Sequence, residues 1–124
     1  MDDKTYITDS ILLSVKKLIG INEDDDSFDV DIIIHINSAI STLFQLGVLN
    51  IPYTVTSSED IYEDLIPEGP ADVVNNIKLY FVYKVKLGFD NSTTSATVIE
   101  VLKECIKELE WRLMVSFNPP DTFD

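Results

Sequence analysis

The stretch Pro70–Gly88, PADVVNNIKLYFVYKVKLG, decides the fold. It reads two ways. From Ile77 to Leu87 the residues Ile77, Leu79, Phe81, Tyr83, Val85 and Leu87 alternate with Lys78, Tyr80, Val82, Lys84 and Lys86, which is a strand pattern. The ends say otherwise. Pro70 is suited to the first position of a helix, Asp72 falls in the first turn, and Gly88 lies where a helix stops. A segment of about 18 residues is also long for a strand. The helix reading, over 70–87, is preferred. Aromatic residues on more than one side make it a central, largely buried helix.

Downstream, FDNSTTS is a polar turn. Asn91-Ser92-Thr93 within it matches a glycosylation sequon, which is noise without a secretory signal. A last helix follows over 95–115, SATVIEVLKECIKELEWRLMV. Val98, Ile99, Leu102, Cys105, Ile106, Leu109 and Leu113 recur at helical spacing as one apolar stripe, and Glu100, Glu104, Lys107 and Glu108 lie opposite. Trp111 falls among the charges. An apolar ring on the polar side of a helix is packed by a second neighbour or waits for a partner. The chain closes on SFNPPDTFD, where two prolines exclude helix. Residues 116–124 read as an extended arm beyond a single helical domain over 1–115.

Upstream, Ile11, Leu12, Val15, Leu18 and Ile19 form the stripe of a first helix over 8–19. Thr8 is its expected N-cap, Ile7 and Leu12 a hydrophobic staple, and Gly20 its stop. Lys16 and Lys17 suit the negative end of its dipole. The acidic run INEDDDSFDVD fails as an EF-hand: with Asn22, Asp24 and Asp26 at positions 1, 3 and 5, Ser27 stands where Gly is required and Ile33 where Glu is required. It reads as a solvated turn, with Asp26 or Ser27 capping a second helix over 28–46. Ile32, Ile33, Ile36, Ala39, Ile40, Leu43 and Phe44 form that helix's apolar face. His35 lies on its polar face, as a surface residue. Residues 48–69 form an irregular acidic connector holding a short helix, capped by Ser57 or Ser58, or an edge strand. The fold class expected is all-α: a bundle of four main helices with this connector and an extended tail.

Formal net charge is −13, from 22 acidic and 9 basic residues. Between Lys17 and Lys78 stand twelve Asp or Glu and no Lys or Arg. Such a surface repels phosphate backbones and anionic membranes. The only cysteine, Cys105, excludes an intrachain disulfide and reads as a core residue. The N-terminus MDDKTYITD has no apolar signal region, and no apolar run is long enough to span a bilayer. The four glycines form no phosphate-binding loop, and neither GxSxG nor HExxH occurs. Nothing points to an enzyme, a metal or another cofactor.

Three segments carry a resemblance: ILLSVKKLIGI (11–21) with DDSFDVDIIIHINSAISTLFQLGV (25–48), NNIKLYFVYKVKLGFDNSTTS (75–95), and VLKECIKELEWRL (101–113). Together they resemble the head–tail connector, or head-completion adaptor, proteins of tailed phages and prophages of Gram-positive bacteria. The resemblance implies a helical subunit of a ring, usually twelve-fold, beneath the portal protein. It implies a DNA channel through which DNA passes without specific binding, and a docking surface for the stopper or tail-completion protein. It places the portal contact at the end of the last helix and the tail. Trp111, Met114, Val115, Phe117, Pro119, Pro120 and Phe123 are therefore the expected docking residues. Glu59, Asp60, Glu63 and Asp64, with Lys78, Lys84 and Lys86, are the expected inter-subunit charges. The competing expectation is an acidic regulator or DNA mimic that binds a basic host protein.

Overall fold

The computed structural model describes residues 8–89 and 95–117. Among them are five helices and no strand: α1 (Ile11–Ile19), α2 (Asp29–Gln45), α3 (Tyr62–Leu65), α4 (Ala71–Phe89) and α5 (Ala96–Phe117). The ambiguous segment is helix throughout. Helix α4 is the hub, packing on α5, on α2 and on α1. It buries Val73, Val74, Ile77, Tyr80, Phe81, Val82 and Val85. Those residues lie on more than one side of the helix, so aromatics read as alternation in sequence become a wide buried surface in space. One core joins α1, α2, α3 and α4 with Val48, Leu49 and Val55 of the connector and with Ile106, Leu109 and Leu113 of α5.

Several ends differ from expectation. The cap of α1 is Ser10, whose hydroxyl accepts from the Leu13 amide at 3.2 Å; Thr8 lies before the helix, and Ile7 lies outside the described residues. At the other end Gly20 takes φ 86° and closes the helix as expected. Helix α2 starts after Phe28 with no side-chain cap. The Asp25 carboxylate is instead engaged with the Ser27 hydroxyl and amide, and this lowers its pKa. Helix α3 has Ile61 at its cap position, while the Ser57 hydroxyl accepts from the Glu59 amide. Gly88 lies inside α4, not beyond it, because the helix continues to Phe89. A Cβ at Gly88 would overlap the His35 ring. His35 is accordingly half-buried, with Phe89 edge-on at 5.6 Å, and is not a free surface residue.

The connector is held by side chains in place of a sheet. The Asn37 amide donates to Val55 O at 3.0 Å and accepts from Val55 N at 2.8 Å, completing what a neighbouring strand would supply. Asp60 accepts from the Tyr53 hydroxyl and from the Thr56 and Ser57 amides. The fully buried Tyr62 shares a 2.8 Å hydrogen bond with Ser14 and stacks near Phe81. A single bridge, Ser10 to Ile61, joins the connector to the start of α1.

Lys16 stands in the last turn of α1, as expected. It does not lean toward solvent at the end of α1 but is 1% exposed. Its ammonium donates to Glu23 O at 3.1 Å and Asp25 O at 2.8 Å, and lies 2.8 Å from Asp29 Oδ1. That buried oxygen makes no hydrogen bond and is satisfied by the adjacent charge. The acidic turn is thus folded around a lysine.

Candidate docking surfaces

Helix α5 is 22 residues long, yet buries only Ile106, Leu109 and Leu113. Its main packing partner is α4 alone. The stripe seen in sequence is therefore covered over its second half only. Val98 is 48% exposed, and Ile99, Leu102 and Cys105 are half-buried. Cys105 lies at the margin of the core rather than within it. A 2.7 Å hydrogen bond from the Tyr80 hydroxyl to Glu110 Oε2 fixes α5 on α4. Burial, and then that contact, hold the Tyr80 phenol neutral well above its usual range.

Among the described residues, apolar side chains of α5 stay open at two places, with Val101 exposed between them. The first surrounds Trp111, which is 65% exposed. Met114 is exposed beside it and Val115 is half-buried. Lys107 and Glu108 are its charged helical neighbours, and Glu108 pairs in turn with Arg112. The second is an open groove of about 660 Å³ near the start of α5, lined by Ile19, Ile21, Phe28, Phe89, Val98 and Leu102, with Asp31 and Lys86 at its edge. Phe28 and Phe89 meet edge-on there at 6.1 Å. Sequence periodicity missed this groove, because it forms where the ends of α1 and α4 meet the starts of α2 and α5. In sequence, Ile19, Val98 and Leu102 are stripe residues of two separate helices, with nothing to say that they meet.

The expected docking residues do not all share one surface. Phe117 is helical and partly buried against the core, so α5 runs two residues past its expected end. Pro119, Pro120 and Phe123 lie outside the described residues. Among the charged residues, Lys78 lies 3.6 Å from Asp9 and over the Tyr62 ring at 5.3 Å. Lys84 lies over the Tyr80 ring at 5.8 Å. Asp60 is taken up by the connector, as above. Glu59, Asp64 and Lys86 are exposed and Glu63 is half-buried. The acidic side chains of the connector and the lysines of α4 therefore lie on the surface with unequal freedom to meet a neighbour.

Among the described residues, no group of three or more His, Cys, Asp or Glu is placed to hold a metal ion. No helix there is long and apolar enough to cross a membrane. Fold and surfaces together define a small all-α protein that, among the described residues, leaves apolar faces open on a largely acidic exterior. The family described as phage connector protein matches residues 11–120, nearly all of the chain, and the chain belongs to that family. It is a structural component of the virion, at the junction of head and tail, and such proteins interact with portal and tail proteins. No curated protein and no solved structure matches the chain.

Proposed function

We propose that the chain forms a ring beneath the portal protein, extends the DNA channel, and presents a surface to the stopper or tail-completion protein. The observation that carries this is the family match over residues 11–120, and the exposure of α5 supports it. A helix of this length held by one neighbour is suited to an intermolecular contact, since its apolar side chains otherwise stay in water. The net charge of −13 suits a channel that DNA traverses, because an acidic wall gives no counterion-release attraction. The end of α5 and residues 118–124 are the portal-facing part.

Co-purification with the portal protein tests this. The full chain is expected to be retained, and a chain ending at Phe117 to be retained weakly. That truncation point leaves Phe117 on the core, so lost binding is not lost folding. Undiminished binding by the truncated chain would remove the tail from the contact. Failure of the full chain to bind would remove the portal.

A further inference from the structure

We infer that Trp111 of one copy seats in the groove between Phe28, Phe89 and Val98 of the next copy, head to tail. The inference rests on the ring reading and assigns its subunit contact, leaving the residues after Val115 for the portal.

The geometry requires two molecules. Val98 and Trp111 are 13 positions apart on one helix, about 20 Å at 1.5 Å per residue. No bending of the chain brings the Trp111 indole to its own groove while α5 stays helical. The two features are also unlike: one is a projecting ring, the other a concavity of about 660 Å³ floored by apolar side chains. Pairing unlike surfaces is heterologous, and a heterologous contact makes a ring where its rotation closes, which is what the ring reading requires. An indole entering a pocket rimmed by aromatic edges is the type of anchor that dominates interface energetics.

Charge identifies a second copy as the occupant. Two molecules of net charge −13 repel, so they must meet where charge is locally balanced. Beside Trp111 on the helix surface, Glu108 is matched by Lys107. At the groove, Asp31 is matched by Lys86. The connector segment 57–68 offers no such balance, having five acids and no cation. A strongly basic partner would choose that segment instead.

Photo-crosslinking from position 111 decides the matter. With a benzophenone amino acid in place of Trp111, the full chain is irradiated alone at high concentration and when bound to portal protein. A chain-to-chain adduct that maps to Phe28, Phe89 or Val98 is expected. Adducts only to the portal, adducts only within one chain, or no adduct overturn the inference. A mixing experiment checks it independently, under whichever condition the wild type associates. W111A and V98E each alter an exposed side chain, and each is expected to weaken self-association about 30-fold or more. Mixed together they are expected to form a one-to-one pair and nothing larger, since each retains one half of the contact. A mixture that does not pair, or a wild type that stops at a closed dimer, also overturns it. Portal binding by the wild type without a chain-to-chain adduct would sink this contact and leave the portal reading standing. Self-association without portal binding would do the reverse.

Discussion

Lys16 shows how much of this fold hangs on one side chain. Its ammonium, 1% exposed, holds two carbonyls and a carboxylate of the acidic turn. Lys16→Met keeps the apolar stem but leaves those oxygens unmatched. A loss of about 2–4 kcal/mol is expected in urea unfolding; a loss under about 0.5 kcal/mol would mean that water replaces the ammonium. Asp60 gives a pH signature. Burial raises its pKa, but hydrogen bonds from Tyr53, Thr56 and Ser57 outweigh burial and leave it below the ordinary aspartate range. A lowered folded pKa means that the stabilisation is complete above the unfolded value and is lost as pH falls through the folded one. Asp60→Asn is therefore expected to cost about 1 kcal/mol at neutral pH. The gap to wild type should narrow below about pH 4; a gap constant down to about pH 2 would contradict this.

At the scale of elements, Gly88 joins α4 to α2 through the His35 ring. The helix itself prefers Ala over Gly by about 1 kcal/mol, whereas the ring leaves no room for a Cβ. Gly88→Ala should therefore destabilise by about 1–2 kcal/mol in the native background. In a His35→Ala background the same change should become neutral or stabilising. Thermal unfolding of the four-member cycle measures the coupling, and additive effects would show that the ring simply swings aside. This contact also shows what the sequence could and could not tell. Period and end signals located α2, α4 and α5 within a residue or two of their bounds at most ends. Whether Gly88 stopped a helix or admitted a neighbour depended on His35, 53 positions away in the chain. The α5 stripe was legible for the same local reason, but where its cover ended was not. A wheel shows which face is apolar, and the neighbour decides how much of it is buried. Ser10 displaced Thr8 as cap because the bridge to Ile61 fixes where the chain enters α1, again a distant partner.

For the molecule as a whole, electrostatics and packing pull apart. The region 18–77 carries twelve acids and no Lys or Arg, and most of the acids are exposed. Added salt should raise the melting temperature by screening this repulsion, and it should strengthen self-association for the same reason. Sedimentation velocity at low and high sodium chloride reads the second effect. An assembly that dissolves in salt would indicate an attractive ionic contact instead of a locally neutral one. The docking residues were legible in part: Trp111 stood out by its place among charges, and Ile19, Val98 and Leu102 stood in periodic stripes, but that they line one groove required four segments to converge.

The buried lysine has a consequence for how the acidic turn behaves through the particle's life. A turn of this composition could be organised by a divalent cation, and its shape would then follow mass action, tightening and loosening with ion concentration. Here the positive charge is tethered to α1, an internal counter-ion whose effective concentration never falls. Calcium or a chelator should leave the melting temperature unmoved beyond the general effect of ionic strength. With its counter-ion built in, the turn is expected to keep its shape whatever the calcium level around it.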